Sequence, residues 1–588
     1  MKPIVDLLDD RVAVAMHQVA GTKVQGIQPV VKPSQNPKFG DYQANGVMGL
    51  AKQLKTNPRQ LAEQIVKKLD VADMCESPEI AGPGFINFRL KPDWLAARLA
   101  ESIKNPDRLG VDPMVDPPVT VVDFSSPNIA KQMHVGHLRS TIIGDVIARI
   151  LEFCYADPKK VVRQNHVGDW GTQFGMLITM LREKSTSGSG EIENNLSDLE
   201  AFYKAAKSKF DSDSDFQKRA YQAVVNLQNG DPDTLNAWQS IVDKSLAYCD
   251  SIYKHLNVRL TGDDVCGESY YNDNLPSVIS ALSKVNLLTE SDGAQCVFLD
   301  GFKSKKGEQL PLIVQKSDGA YLYATTDLAA IRFRTDELKA NRIIYVTDAR
   351  QKLHFEMVFA CAKQAGWADD NVLLEHVPFG SVLGEDGKPF KTRSGENVKL
   401  ADLLGEAVQR ARTVVEEKNP DLDENEKQDI ARAVGIGAVK YADLSNHLVS
   451  DYVFNWDRML AMEGNTAPYM QYAYARVQSI FRKGDIDTTE LALQGDHLVL
   501  DAPEELALAR QLLRYGEVIE SVVRDLRPHL LTTYLFDLAQ SFSGFYTNCL
   551  VLPAQGDLRT SRLLLCFHTG QTIRHGLSLL GIETPAKI

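Results

Sequence analysis

The segment 119–150 constrains the fold of this chain most strongly. An apolar run over 119–124 gives way to a polar stretch, and apolar residues then recur at helical spacing up to residue 150. A strand, a loop and a helix in this order, followed by a second apolar pair beginning at Val161, predict a parallel βαβ unit. Its loop contains His134-Val135-Gly136-His137 directly before the helix, so we expect a ligand site there.

The His-x-Gly-His motif suits a phosphate group. Free backbone N–H groups at the start of a helix attract anions, Gly136 lets a ligand approach the backbone, and imidazoles donate hydrogen bonds to phosphate oxygens. With 12 His and 39 Gly in 588 residues, chance gives roughly 0.02 such motifs per chain. A pair of ordinary loop histidines is the alternative interpretation of His134 and His137.

The pattern along the whole chain predicts an α/β fold class with three domains. Strands and helices are expected to alternate over 116–401, with a polar helical insertion at about 183–290, which is typical of a Rossmann-like, doubly wound parallel sheet. Residues 1–115 have the mixed pattern of an N-terminal α+β domain. Residues 402–588 carry amphipathic helical spacing to the end and predict an all-α C-terminal domain.

Composition narrows the class of protein. No run approaches 18 apolar residues, and the first ten residues lack the apolar core of a secretory signal, so no membrane partner is expected. None of the eight cysteines stands in a Cys-x-x-Cys pair, so we expect no metal site such as structural zinc in the protein, and a cytoplasmic location with reduced thiols. The net charge of −12 argues mildly against an RNA partner without excluding one, because local basic surface decides RNA binding.

Four segments together carry a resemblance to a known family. The string from Asp123 to Asp145 is similar to the signature region of class I aminoacyl-tRNA synthetases, and among them of the arginyl-tRNA synthetases. The similarity extends to Asn165–Gly175, Tyr321–Asp327 and Glu463–Arg476, and it covers most of the chain.

The resemblance implies an arginine–tRNA ligase that uses ATP and Mg²⁺. It implies that L-arginine is activated to an adenylate and transferred to the 3′ end of tRNA(Arg), with tRNA bound before activation. The N-terminal domain is expected to bind the tRNA D-loop and the C-terminal domain the anticodon region. We expect a monomer, with no DNA partner.

The family's second ATP loop departs from its usual form here. The family pattern is Lys-Met-Ser-Lys-Ser, whereas this chain has Gly-Lys-Pro-Phe-Lys-Thr-Arg-Ser-Gly at 387–395 and lacks the second lysine at the aligned position. Lys388, Lys391 and Arg393 are the local candidates for ATP binding, beside His134, Gly136 and His137. Lys131 is a further catalytic candidate, because arginyl enzymes with a degenerate loop carry a lysine there; a solvated loop charge is its alternative.

Recognition of arginine needs carboxylates that accept paired N–H bonds from a guanidinium, and an aromatic face that stacks on it. The family places the guanidinium between the residues matching Asp123, Tyr323 and Asp327, and the α-amino and carboxyl groups near those matching Asn128, His137 and Gln351. Each of these three residues has an alternative interpretation. Asp123 is then a solvent-facing strand end, Asp327 a helix N-cap and Tyr323 a core strand residue.

Two segments are candidates for tRNA contact. Asn36–Gln43 resembles the family segment that reads the D-loop, with Asn36, Phe39 and Gln43 as contacts; a surface turn is the alternative. The C-terminal candidates lie on one helix, where exposed rings could stack on splayed bases and a buried aromatic stripe is the alternative: Tyr469, Tyr472 and Arg476.

Three other functions are weighed against the first. A class I synthetase for glutamate or cysteine conflicts with the trio Asp123, Tyr323 and Asp327. A small-molecule adenylyltransferase needs no long helical C-terminal domain. A tRNA-binding paralogue without activation has no need of intact His134 and His137. Pyrophosphate exchange, run with each amino acid and with or without tRNA, separates all four.

Overall fold

A computed structural model describes residues 1–588 except 22–23, 25, 35, 187–195, 392–397 and 496–497. The chain forms two compact units. Unit 1 comprises Met1–Pro113, Ala461–Ser578 and Glu583–Ile588, and unit 2 comprises Met114–Leu460 and Leu579–Ile582. Within the described residues, no helix has the length and apolar character needed to cross a bilayer.

Thirteen strands are assigned among the described residues. In chain order they are β1 Val31–Pro33, β2 Tyr42–Ala44, β3 Glu79–Ala81, β4 Phe85–Phe88, β5 Thr120–Asp123, β6 Val161–Gln164, β7 Leu288–Ser291, β8 Ala294–Lys303, β9 Gln309–Gln315, β10 Arg342–Asp348, β11 Leu373–Phe379, β12 Val382–Leu383 and β13 Tyr452–Val453.

Helices account for most of the remaining described chain. They are α1 Ile4–Ala20, α2 Val47–Leu54, α3 Pro58–Val66, α4 Pro92–Ile103, α5 Val135–Cys154, α6 Thr172–Thr186, α7 Leu196–Ser212, α8 Ser214–Gln228, α9 Pro232–His255, α10 Leu275–Lys284, α11 Tyr323–Asp336, α12 Lys352–Gln364, α13 Leu400–Lys418, α14 Glu424–Leu444, α15 Trp456–Met459, α16 Ala467–Gly484, α17 Thr488–Leu493, α18 Pro503–Leu513, α19 Tyr515–Asp525, α20 His529–Asn548 and α21 Gly556–Leu579.

Unit 1 joins the small N-terminal sheet to the C-terminal helices. The strands form an antiparallel sheet in the order β1-β2-β4-β3. Glu517 on α19 is buried and accepts hydrogen bonds from the Tyr42 hydroxyl at 2.6 Å and the Val5 amide at 3.0 Å. Since a buried carboxylate must be hydrogen-bonded to be tolerated, Glu517 ties the first helix, the sheet and α19 together.

Unit 2 is built on a four-stranded parallel sheet in the order β11-β10-β5-β6. The apolar runs that predicted strands at 119–124 and 161–162 form β5 and β6, and a further apolar run at 343–347 forms β10. The helix expected after the His-x-Gly-His motif is α5, and its apolar positions are buried. The predicted α/β class and Rossmann-like core are confirmed.

Some elements differ from the sequence-based expectations. A three-stranded antiparallel sheet, β7-β8-β9, lies between the insertion and α11, where only helix and parallel strand were expected. The amphipathic stretch 504–524 forms two helices, α18 and α19, which meet at Arg514. Amphipathic spacing continues through such a break, so periodicity alone does not reveal it.

The expected boundary between 401 and 402 does not coincide with a boundary between compact units. Helices α13 and α14 belong to unit 2. Arg139 on α5 donates from Nε to Asp443 on α14 at 3.2 Å, and both side chains are fully buried. This ion pair fixes α14, which follows residue 402, to α5 beside the parallel sheet, because a buried charge needs its partner nearby. The division into 1–115, 116–401 and 402–588 stays a prediction.

Helix α5 packs against the end of β5 at van der Waals distance. Gly144 makes this possible, since a Cβ there would lie 2.1 Å from Cβ and 2.2 Å from Cγ of Phe124. The start of α5 therefore has a defined position relative to the strand that precedes it, and the motif between them has little freedom.

Gly144→Ala is expected to lower the free energy of unfolding by about 1–3 kcal/mol, the usual cost of overpacking a core. Gly405→Ala is the matched control, because Gly405 is an exposed helical glycine in the same unit with no atom near its Cβ position; it should be neutral or stabilising. Thermal and urea unfolding measure both. Equal stability of the two variants would contradict the packing argument.

Candidate active site

The topology of the parallel sheet determines where the site lies. β5 pairs with β6 on one side and β10 on the other, so the order of strands reverses between β5 and β10. In such sheets ligands bind outside the carboxyl ends of the strands at this reversal. Asp123 ends β5 directly beside Tyr345 of β10, and the loop that leaves Asp123 leads to the start of α5.

The main chain holds both histidines of the motif. The amide of Gly136 donates to Nδ1 of His134 at 3.1 Å, and the amide of His134 donates to Nδ1 of His137 at 3.1 Å. Because both Nδ1 atoms accept hydrogen bonds, each neutral imidazole carries its proton on Nε2. Only glycine fits at 136, since a Cβ would lie 2.8 Å from Cε1 of His134.

Both imidazoles are neutral at pH 7. Burial lowers the pKa of His137 to about 3, and the charges of His134 and Lys131 add to this effect. Burial, followed by the charge of Lys131, also lowers the pKa of His134. Each ring therefore offers an Nε2–H donor, and Lys131 supplies positive charge within electrostatic reach of both rings.

The backbone amides at the start of α5 are not the free anion site that the sequence predicted. The Val135 amide donates to the carbonyl oxygen of Val398 at 2.9 Å, and the His137 amide to that of His134 at 2.8 Å. The Gly136 amide is engaged by the His134 ring. At this helix start the imidazole N–H groups, rather than these amides, are the donors that suit a phosphate.

The chain that leaves the second predicted ATP loop is bonded to the motif. Lys399 forms an antiparallel bridge with His134, and the Leu400 amide donates to the carbonyl oxygen of Met133 at 3.1 Å. These bonds bring residues 399–400, which follow the second loop in sequence, to the start of α5. Segments more than 250 residues apart in sequence thus meet at one point in unit 2.

The lysines expected in the second loop precede this junction. Lys388 and Lys391 are exposed and follow β12. Phe390 between them stacks on Phe454 with ring centroids 4.8 Å apart, which anchors the entrance of the loop. Arg393 lies outside the described residues.

Asp123 is buried and already paired. It accepts a hydrogen bond from Nη2 of Arg334 at 2.6 Å and another from the Ser126 hydroxyl at 2.9 Å. Arg334 also donates to Gln164 at 2.5 Å and lies over the Tyr345 ring. The solvent-facing alternative for Asp123 is therefore excluded. Its carboxylate already has an internal partner, the guanidinium of Arg334.

Tyr323 and Asp327 stand one turn apart on α11, which begins at Tyr323. Tyr323 is 73% exposed and is not a core tyrosine. Asp327 lies inside the helix and is not its N-cap; Oδ2 is 2.6 Å from Nε2 of His354. Burial opposes protonation of His354, but the hydrogen bond and charge of Asp327 outweigh it and raise the pKa of His354 above 6.5.

Asp123 and Asp327 lie near one common side chain. Burial raises the pKa of Tyr345, the charge of Arg334 opposes this, and both carboxylates add to the rise. Both acids are therefore within electrostatic reach of Tyr345, in the middle of β10. Segments 204 residues apart by number, 327 − 123, thus act on one side chain of the parallel sheet.

Glu268 is a candidate site residue that sequence reasoning missed. Burial raises its pKa to about 7, and the charges of Asp169 and Asp327 add to the rise. Asp169 accepts hydrogen bonds from the amide and hydroxyl of Ser269 at 2.8 and 2.6 Å, which fixes the segment that carries Glu268. No motif or periodicity marks Glu268, since only the fold brings it to Asp327.

Asn128 and Gln351 occupy different settings. Asn128 forms a parallel bridge with Gly168, and its Oδ1 accepts the Ala130 amide at 3.1 Å. This bond shapes the loop before the motif. Gln351 is exposed and stands as the N-cap residue of α12, three residues before His354.

Family models match three parts of the chain. The model described as tRNA synthetases class I (R), catalytic domain, matches residues 112–456. The arginyl tRNA synthetase N terminal domain matches 6–90, and the DALR anticodon binding domain matches 470–588. Together the three models leave little of the chain unmatched.

Curated relatives and solved structures agree with the models. An arginine–tRNA ligase from Hahella chejuensis is 52% identical over 579 residues and 98% of each chain. The chain belongs to the arginyl-tRNA synthetase family. The arginyl-tRNA synthetase of Plasmodium falciparum has a TM-score of 0.86 at 32% identity, and that of Thermus thermophilus 0.81 at 26%, each over the full length of both chains. As a class I synthetase, this member is a ligase whose activity uses ATP.

In this arginyl-tRNA synthetase family member, the N-terminal tRNA candidates lie on and beside β2. Phe39 is 45% exposed in a short turn. Asn36 accepts the Lys38 amide with its side-chain oxygen at 3.0 Å. Gln43 donates to Asn87 at 2.7 Å across the sheet. The turn exposes the Phe39 ring, Asn36 bonds to the backbone of the turn, and Gln43 bonds to a side chain of β4. The contact of these three residues with tRNA stays a prediction.

The C-terminal candidates lie on α16. Tyr472 is 37% exposed, and the Arg476 guanidinium lies 4.9 Å from its ring centroid and 5.5 Å from that of Tyr546. Tyr546, on α20, was not predicted, because it lies 70 residues beyond Arg476 in the sequence. Tyr469 is half-buried against Phe536. The exposed cluster for stacking is thus Tyr472, Arg476 and Tyr546.

Glu268 is expected to give arginine activation a pH dependence. A carboxyl group with a pKa of about 7 is neutral below that pH and attracts a guanidinium only above it. The kcat/KM for arginine should therefore rise as the pH passes upward through 7. In Glu268→Gln the value should fall by about tenfold or more, the loss of one charged hydrogen bond.

The rise with pH should also be shallower in Glu268→Gln, and what remains is assigned to His354, whose deprotonation leaves Asp327 uncompensated. Pyrophosphate exchange at varied arginine measures the profile. Glu337→Gln, an exposed acid at the end of α11, serves as control and should keep the native profile. An unchanged profile in Glu268→Gln would remove Glu268 from the site.

Proposed function

We propose that the crevice at the ends of β5 and β10 ligates L-arginine to the 3′ end of tRNA(Arg). The arginine carboxylate attacks the α-phosphorus of ATP, pyrophosphate leaves, and the terminal ribose of tRNA then attacks the acyl carbon. Neither step needs a nucleophile from the protein, which must position the reactants and stabilise charge. The observation that carries the proposal is that β5, which ends at Asp123 beside Tyr345, leads through one loop to two neutral imidazoles at the start of α5.

The histidine end of the crevice suits ATP. His134 and His137 present Nε2–H donors without positive charge of their own. Gly136 makes room for the His134 ring, and Lys131 supplies the cation that the degenerate second loop lacks at its usual place. Lys388, Lys391 and Arg393 are the further candidates for the leaving pyrophosphate.

The carboxylate end suits a guanidinium. Tyr323 offers an exposed ring one turn from Asp327, and Asp327 and Glu268 act on each other's charge. Two carboxylates and a ring form the set that binds a planar cation. Since Asp123 is occupied by Arg334, we assign the second contact with the guanidinium to Glu268 and give Asp123 a supporting role.

The remaining substrate contacts and partners complete the proposal. Asn128, His137 and Gln351 hold the α-amino and carboxyl groups. Mg²⁺ enters with the phosphates of ATP, as is usual for this ion; in the described part of the chain no group of three His, Cys, Asp or Glu side chains is arranged to hold a metal. The enzyme acts as a cytoplasmic monomer, and tRNA(Arg) binds before activation.

Pyrophosphate exchange tests the function as a whole. The purified chain is incubated with ATP, labelled pyrophosphate and one amino acid at a time, with and without tRNA(Arg). Exchange is expected with arginine and only when tRNA is present. Exchange with glutamate or cysteine would indicate another specificity, and tRNA binding without any exchange would indicate an inactive paralogue.

Lys131→Ala is expected to lower the rate of exchange by about tenfold or more, because one positive charge beside the phosphates is lost. Its thermal midpoint should stay within a degree or so of the native value, since the residue is exposed. Lys159→Ala, an exposed lysine before β6, is the control and should retain native exchange. Full activity of Lys131→Ala would assign the role to the second loop.

A further inference from the structure

The loop between β5 and α5 is held in an unfavourable backbone conformation. Ser125 and Ser126 have φ values of 68° and 45°. Such left-handed values are uncommon for residues other than glycine. Each one costs conformational free energy, as strained backbone at functional sites does. The conformation persists only if the surroundings fix it, so the contacts of these two serines explain how the loop keeps its shape.

A buried series of hydrogen bonds fixes this loop. Asn165 donates from Nδ2 to the Tyr253 hydroxyl at 3.1 Å. The Tyr253 and Ser125 hydroxyls are 2.8 Å apart, and those of Ser125 and Thr141 are 2.9 Å apart. The Thr141 hydroxyl donates to the carbonyl oxygen of His137 at 2.8 Å.

The donors in this series have one consistent direction. Thr141 gives its proton to His137, so its oxygen accepts from Ser125, and Ser125 in turn accepts from Tyr253. Burial raises the pKa of Tyr253, which keeps the phenol protonated and able to donate. Each hydroxyl then donates once and accepts once. The series, which we call the hydroxyl relay, runs from Asn165 through Tyr253, Ser125 and Thr141 to His137.

Tyr253 is the only member of the relay that comes from the helical insertion. It lies near the end of α9 and is 4% exposed. A second insertion residue supports the same loop, because the Tyr203 hydroxyl lies 3.3 Å from the carbonyl oxygen of Ile129. The insertion thus contacts the loop on both sides of Asn128 and fixes it from outside the parallel sheet.

We propose that Tyr253 is a positioning residue for adenylation, which sets the place of His137 against ATP through the hydroxyl relay. The inference rests on the proposed role of His137. It goes beyond that role, because it gives the helical insertion an indirect part in positioning the ATP site. Tyr253 touches no substrate. Its effect passes through Ser125 and Thr141 to the first turn of α5.

Tyr253→Phe tests this role, because it removes one oxygen and keeps the buried ring. Exchange is measured with saturating tRNA(Arg), and rates are divided by the folded fraction. We expect kcat/KM for ATP to fall by about tenfold or more, since small displacements of a catalytic group are costly, while KM for arginine is unchanged. Loss of folded protein alone would move neither KM.

Two further variants sharpen the test. Tyr248→Phe is the control, a buried tyrosine on the same helix that is not part of the relay, and it should retain native constants. Thr141→Val interrupts the relay at its other end and should give the same selective effect on ATP. The double variant Tyr253→Phe, Thr141→Val should be no worse than the more severe single one, because both break one series.

Calorimetric titration with ATP separates this inference from the proposed function. If the chain activates no amino acid, the proposed function fails, yet Tyr253→Phe should still bind ATP several-fold more weakly than Tyr248→Phe. The positioning role is overturned if the two tyrosine variants have equal ATP affinity and kcat/KM. It is also overturned if Tyr253→Phe raises KM for arginine as much as KM for ATP, or if the effects in the double variant simply add.

Discussion

The pairing of β5 with β10 is the constraint on which the rest of the site depends. These strands come from distant parts of the chain, and their parallel register puts Asp123 next to Tyr345. The loop that leaves Asp123 leads to the start of α5, and Asp123 and Asp327 both lie within electrostatic reach of Tyr345. Without this pairing Asp123 and Asp327 would have no common neighbour, because no local interaction joins their segments.

Much of this arrangement is predictable from the sequence, because it follows from local patterns. Apolar runs and helical spacing predict β5, β6, β10 and α5, and the order of these elements predicts the parallel sheet. The four-residue spacing of Tyr323 and Asp327 predicts one helical face, which α11 provides. These inferences need only neighbours along the chain, and periodic burial makes such neighbours visible.

Other features depend on contacts between distant segments and carry no local signal. The Asp123–Arg334 pair joins residues 211 apart, and it turns an expected substrate contact into an internal one. Glu268 acquires its raised pKa from burial in the fold and from the charges of Asp169 and Asp327. The amides of the His-x-Gly-His motif are likewise satisfied by their own histidines and by Val398, which no motif specifies.

The charges of the site are sorted along the crevice. Lys131 acts on the two neutral histidines, whereas the charges of Asp169 and Asp327 act on Glu268. A substrate pair with a cationic side chain and an anionic phosphate tail can satisfy both groups only in one orientation. In the reverse orientation the phosphates would meet the acids, so this sorting supports the proposed alignment of the arginine carboxylate with the α-phosphorus. An acidic chain of net charge −12 can thus bind a polyanion, because the local arrangement of charge, and not its total, decides.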